Sequence, residues 1–141
     1  MTAEALWARF GKPGGFDAWS FGGNPDGLAA LVLAGKKTAT ASAFPLYELE
    51  GEALPRAGEY SVILDSRDHA LCIIRTTRVF VTPFRDVDDR QAWKEGEGDR
   101  SLEYWRRVHR EFFTGELAEV GLTFSEDLLV VCEEFELVYR A

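Results

Sequence analysis

Several things are scarce in this chain, and each scarcity excludes something. There are two cysteines in 141 residues, Cys72 and Cys132, and no C-x-x-C pair. Both lie in apolar, strand-like runs, which reads as small buried hydrophobes rather than a redox pair. The set is too poor in ligands for a structural zinc site. No apolar run approaches the ~20 residues that a membrane helix needs. The N-terminus carries Glu4 and lacks the basic start of a signal peptide, so the expected location is the cytoplasm, with no membrane partner. Positive charge is also short: 16 Lys and Arg stand against 24 Asp and Glu, a formal net charge of -8. A long, sequence-blind nucleic-acid track wants a basic surface, so that class is disfavoured while a local basic pocket is not. There are no repeats, no low-complexity tract and no dividing linker. What remains, 46% hydrophobic and 28% charged residues, describes one compact domain over 1–141, with residues 1–18 as a helical N-terminal extension.

The stretch Leu31-Val-Leu-Ala-Gly35-Lys36-Lys37-Thr38-Ala-Thr40 organises the reading. An apolar helix runs into a glycine, which suits the positive φ just past a helix C-terminus. A short extended segment then carries two lysines and two threonines. Alternation puts Thr38 and Thr40 on one face and Lys37 on the other unless the turn twists. Such a set could contact a phosphate, a base edge or a carbonyl. The plain alternative is a solvated lysine pair that complements the helix dipole. A phosphate-binding P-loop is excluded, because Ala30 stands where its first glycine is needed and a helix, not a strand, precedes the loop.

Around this stretch the pattern predicts a helix over 3–10 and a loop at Trp19–Gly23 that presents Trp19 and Phe21. A helix from Asn24-Pro25 to about Ala34 follows, with Asn as N-cap and Pro at the first position. Pro45 and Gly51 bracket a short helix. Strands are predicted at 60–64 and 70–82, with Pro83 as terminator. A short helix is expected over 86–94, and a longer one from Asp99 or Ser101 to about Phe113, kinked at Thr114-Gly115. The stripe of the latter is Leu102, Trp105, Val108 or His109, and Phe112. A closing strand spans 128–139, with odd positions from Leu129 to Tyr139 marking its core face. The order fits a small mixed or antiparallel barrel flanked by helices, an α+β fold.

Lys37 and Thr40 form the first candidate for chemistry. A threonine hydroxyl is a nucleophile once a base takes its proton, and a neutral lysine amine can be that base. In the acidic connector Glu95-Gly-Glu97-Gly-Asp99 the carboxylates could converge on a substrate or on Mg²⁺. Alternatively the segment is a solvated loop, with Glu95 the best placed for a pocket and Glu97 and Asp99 in water. Arg106, Arg107 and Arg110, with Arg100, form a local basic face that could meet phosphate, or a solvated face paired with nearby acids. His109 reads as a packed, hydrogen-bonded histidine or a general base. Trp19 and Phe21 could stack a base. Glu133, on an otherwise apolar strand, points into a barrel cavity or marks a bulge.

In this order, Gly35-Lys-Lys37-Thr-Ala-Thr40, Leu54-Pro-Arg-Ala-Gly58, Glu95-Gly-Glu-Gly-Asp99 and Ser101-Leu-Glu-Tyr-Trp105-Arg-Arg-Val-His109-Arg-Glu-Phe-Phe113 resemble the ASCH (ASC-1 homology) domain family over about residues 19–139. The resemblance implies a PUA-like β-barrel with flanking helices, a cleft beside it, and RNA binding. Some bacterial members are reported to cleave RNA. A shorter relative is an amidohydrolase that deacetylates N-acetylated cytidine with a Lys, a Thr and a Glu, which fall by motif on Lys37, Thr40 and Glu95. The acidic loop and Arg-rich helix look like the larger bacterial subgroup. Three functions follow as expectations: amide hydrolysis by Lys37, Thr40 and Glu95; RNA cleavage at the same cleft, with Lys37 and the Arg106, Arg107 and Arg110 face on phosphate, with or without Mg²⁺ at the acidic loop; or a non-catalytic reader of RNA, a nucleotide or a modified nucleoside. In the last, Lys36, Lys37, Thr38 and Thr40 hold the ligand and Trp19 and Phe21 stack it. No resident cofactor is expected.

Overall fold

The computed structural model describes residues 1–141. Helix α1 (Ala3–Phe10) leads to strand β1 (Asp17–Trp19), helix α2 (Pro25–Leu33) and strand β2 (Ala39–Ala43). Helix α3 (Phe44–Glu50), strands β3 (Tyr60–Leu64) and β4 (Ala70–Pro83), and a 3-10 turn at Phe84–Asp86 follow. Helices α4 (Asp89–Glu95) and α5 (Leu102–Ala118) and strand β5 (Leu129–Arg140) complete the chain. The five strands form one mixed sheet in the order β1-β3-β4-β5-β2, with β1 parallel to β3 and every other pair antiparallel. It curls into a half-barrel whose edges, β1 and β2, do not pair. The fold is α+β, as the sequence pattern implies.

Three apolar layers hold it. Ala29 and Val32 of α2 lie on Ile63, Cys72, Ile74 and Phe135, covering the inner face of the curl. Leu6 and Trp7 of α1 cover Val62, Ala70 and Ile73 on the opposite face. Trp105, Phe113 and Leu117 of α5 pack with Phe84, Val87 and Ala92 against Val130 and Cys132 of β5. Burying this apolar area is the dominant favourable term.

Local signals account for most boundaries. The Asn24 side chain caps α2 with Pro25 at its first turn, and Ser101 caps α5 through the Tyr104 N–H at 3.1 Å. Four expectations need correction. Trp19 belongs to a strand, because the 17–19 segment pairs with β3. Helix α4 begins at Asp89, where the Asp88 carboxylate accepts from the Gln91 N–H, and Asp86 belongs to the 3-10 turn before it. Helix α5 is continuous to Ala118: Thr114 turns its hydroxyl back to the Arg110 carbonyl at 2.6 Å without breaking the helix, and its deep stripe is Trp105, His109, Phe113 and Leu117 rather than Phe112. Strand β5 is buried on both faces from Val130 to Phe135, while Leu129, expected inside, is exposed. The reason is that α5 lies behind that half of the strand and α2 in front.

Candidate active site

The segment after α2 is turned inward by its backbone. Gly35 adopts φ +78°, and the N–H groups of Lys36 and Lys37 both return to the Leu31 carbonyl, at 3.0 and 3.1 Å. The Thr38 N–H then donates to the Lys94 carbonyl (2.6 Å), and the Thr38 carbonyl accepts from Phe135 N–H (3.0 Å). The segment is clamped between the end of α4 and β5. This twist overrides simple alternation and drives Lys37 into the protein, where it is 2% exposed. The solvated-pair reading is wrong for Lys37 and right for Lys36, whose side chain lies in water.

Lys37 Nζ lies 3.3 Å from Glu95 Oε1 and 3.1 Å from Glu97 Oε2, and 5.4 Å from the Phe21 ring centroid. Glu95 ends α4 at 1% exposure. Its Oε2 accepts from Trp105 Nε1 (2.5 Å) and Gln91 Nε2 (3.1 Å), and its Oε1 lies 3.4 Å from His109 Nε2. His109 Nδ1 lies 2.9 Å from the Trp105 carbonyl, which can only accept, so Nδ1 carries a proton. With a carboxylate at Nε2 as well, the ring is best satisfied as an imidazolium. Burial alone would lower the His109 pKa, but Glu95 and then Glu97 outweigh it and the value is raised. Burial likewise acts to raise the Glu95 pKa, and Lys37, His109 and the Trp105 hydrogen bond overcome it, holding the carboxyl at about 2. One ammonium, one imidazolium and two carboxylates sum to zero, which is how four ionisable groups share a dry site.

The acidic connector is therefore no free loop. Gly96 has φ +72° and its α-carbon abuts Lys36: a Cβ there would sit 2.3 Å from the Lys36 carbonyl oxygen. Arg100 pins the connector, its guanidinium 3.8 Å from the Trp93 ring centroid and bonded to the Trp93 and Lys36 carbonyls. Glu97, expected in water, is directed at Lys37; Asp99 is exposed, and its carboxylate accepts from the Ser101 N–H.

A cavity of about 460 Å³ opens on this cluster, lined by Lys37, Glu97 and His109 on one wall, with Thr40 among its other polar lining and Phe21, Tyr104 and Phe112 as aromatic lining. The Thr40 hydroxyl makes no hydrogen bond within the protein, whereas Thr38 spends its own on the Lys94 carbonyl (3.3 Å). Lys36 and Thr38 are outside the lining. Trp19 packs edge-on against Phe21 (4.9 Å) and lines an adjoining chamber. Arg106 donates to the Arg85 and Val87 carbonyls, and Arg110 pairs with Glu126 at 2.7 Å; neither lines the cavity. Arg107 lies over the Tyr104 ring and is likewise outside the cavity lining. Glu95, Glu97 and His109 present three ligand atoms within 4.8 Å of one another, a set with divalent-metal chemistry, but Lys37 Nζ is bonded to both carboxylates and supplies the positive charge there.

Glu97, His109, Gln91 and Trp105 are the functional neighbours that sequence reasoning did not commit to. A signal existed: Gln91 and Glu95, and Trp105 and His109, are each spaced i,i+4 and so share a helix face.

The model of the ASCH domain family matches residues 17–139. Among solved structures, the ASCH domain from Lactobacillus crispatus JV V101 is 37% identical, covering 89% of this chain and 80% of that one, with a TM-score of 0.85. Protein EF3133 from Enterococcus faecalis V583 is 40% identical, covering 97% and 88%, with a TM-score of 0.88. Hypothetical protein PH0355, 19% identical over 86% of this chain and 99% of that one with a TM-score of 0.55, shares the fold. No curated protein is matched.

Proposed function

Because the chain belongs to the ASCH domain family, we propose that its cavity hydrolyses the amide bond of a small acylated nucleoside, of the N-acetylcytidine kind. ASCH domains are generally described as RNA-binding, which makes a nucleoside the natural ligand class. The observation that carries the reading is Lys37, buried between Glu95 and Glu97 on the wall of a cavity that also holds the unpartnered Thr40 hydroxyl. A volume of about 460 Å³ suits a small molecule rather than a polymer.

In this mechanism the Lys37 ammonium first passes a proton to Glu97, 3.1 Å away, and the amine so formed takes the hydroxyl proton as Thr40 Oγ1 attacks the amide carbonyl carbon. The C–N bond breaks, Lys37 returns the proton to the departing nitrogen, and an acyl-threonine remains. Water opens that ester and releases the carboxylic acid, restoring the hydroxyl. Glu95 and Glu97 fix Nζ, and Trp105, Gln91 and His109 fix Glu95 in turn. No metal is needed for any step.

A second reading, capture of a nucleotide without turnover, draws support from Phe21, Tyr104 and Phe112 around the cavity. RNA cleavage draws less, since Arg106 and Arg110 are spent on other partners. The test is mass spectrometry of purified protein with N-acetylcytidine. Wild type releases cytidine, and Thr40→Val and Lys37→Ala, each checked for folding by circular dichroism, lose about 10²–10⁴ in kcat. Release by folded Lys37→Ala sinks the mechanism. Binding of the nucleoside with no release by wild type selects the second reading.

A further inference from the structure

The adjoining chamber is larger, about 830 Å³, and all five strands of the half-barrel contribute to it. It shares Phe21, Gly22, Thr40, Ala41 and Phe112 with the reactive cavity, so the two are continuous. Its charge is entirely of one sign. Six carboxylates line it, from Asp17, Glu50, Glu52, Glu59, Glu116 and Glu133, and no lysine, arginine or histidine does. None of the six is in an ion pair, although acids elsewhere in the chain are paired.

Two buried polar groups point to an occupant. Glu133 is only 8% exposed, and its Oε2 takes the Thr76 hydroxyl at 2.6 Å, leaving Oε1 without a donor. Ser61 is 6% exposed, lines the same chamber and makes no side-chain hydrogen bond. Both free atoms open onto the chamber, so a donor placed there reaches them directly. Burial raises the Glu133 pKa; the Thr76 bond offsets this in part, and the charges of Glu59 and Asp17 raise it further. The chamber lacks a cation.

A metal ion does not fit. No three of these carboxylates bring ligand atoms within 4.8 Å of one another; the cluster at Glu95, Glu97 and His109 is the one such set in the chain. The walls also carry Trp19, Phe21, Leu46, Leu54 and Phe112, which suit a carbon body rather than a bare ion. We propose that this chamber is a subsite for an organic ammonium, with the cation on Glu133 and Ser61 and its apolar body against Trp19 and Phe112. Combined with the amide hydrolysis proposed above, on which this part rests, the substrate class narrows to an acylated nucleoside that also bears a protonated amine beyond the scissile bond. An anionic phosphodiester is repelled from the same chamber.

The experiment uses the intact chain and isothermal titration with phenethylamine, 2-phenylethanol and 3-phenylpropionate, three probes of similar body and different charge. The amine binds, and the alcohol and the acid bind at least ten-fold more weakly. Glu133→Gln and Ser61→Ala, both checked for native melting, weaken the amine, the former by ten-fold or more. Glu4→Gln, an acid on α1 far from the chamber lining, leaves it unchanged. Lys37→Ala also retains amine binding, because the readout needs no turnover; loss of hydrolysis therefore leaves this subsite standing. The proposal is overturned if the amine does not bind, if the alcohol binds as tightly, or if Glu4→Gln weakens the amine as much as Glu133→Gln does, which would mean diffuse surface charge.

Discussion

Glu95→Gln is the sharpest test of the buried cluster. The substitution keeps shape and leaves an amide oxygen for Trp105 Nε1, so packing changes little. It removes one charge from a group that neutralises both Lys37 and His109. Breaking a buried ion pair on one side typically costs about 3–5 kcal/mol, because the other charge stays behind unpaired. The pKa gives the sign: burial acts to raise it, but Lys37 and then His109 overcome this and hold the Glu95 carboxyl at about 2, below its ordinary value. At roughly 3 °C per kcal/mol for a chain of this size, Tm falls by about 10 °C at pH 7. The sign with pH follows from the depressed folded value: the contribution is complete above 4.5 and is lost as pH falls through about 2. Urea unfolding of both proteins from pH 7 to pH 2 therefore shows a gap of about 3–5 kcal/mol that closes in acid. A gap of the same size at both ends would refute the reasoning, since it would trace the loss to packing rather than to charge.

Three further outcomes follow from the geometry. His109 titrates above 6.5 because Glu95 and Glu97 outweigh its burial; its stabilisation is complete below 6.5 and is lost as pH rises through the folded value, which proton NMR of the ring and unfolding curves between pH 6 and 9 will follow, and which His109→Gln will abolish. Gly96→Ala places a Cβ against the Lys36 carbonyl at a positive φ, so it costs at least the ~1–3 kcal/mol of left-handed strain and displaces Glu95 from Lys37; a melting curve unchanged from wild type would contradict this. Burial pushes the Cys72 thiol up to about 11 and the Cys132 thiol to about 12. Neither reacts with a thiol reagent such as Ellman's at pH 8 in the native protein, and both do in guanidinium.

Elements with local causes were legible in the residues. Strand β3, helix α1 and the start of α2 fall where period, cap and proline put them. Strand β1 was not legible, since three residues become a strand only by lying beside β3. Nor was the two-sided burial of β5, which depends on α5 and α2 arriving from opposite sides. At the candidate site, Lys37, Thr40 and Glu95 were nameable from the motif, yet the burial of Lys37 was not. Its partners are 58 and 60 residues away, and an ammonium is tolerated in the interior only because they are there. Glu97 shows the same gap: between two glycines it reads as solvent-facing, and the pinning of its loop by Arg100 turns it inward.

By itself, then, the sequence determined the class of fold, the caps and breaks of its helices, the family, and the types of residue available for chemistry. These depend on neighbours within a turn or two and on pattern. The tertiary structure decided which charges meet and which meet nothing. It gathered one lysine, two glutamates and a histidine into a neutral cluster. It also left six carboxylates facing a chamber without a counter-charge. Electrostatic energy depends on distance and on the exclusion of water, and neither exists until distant segments are packed together.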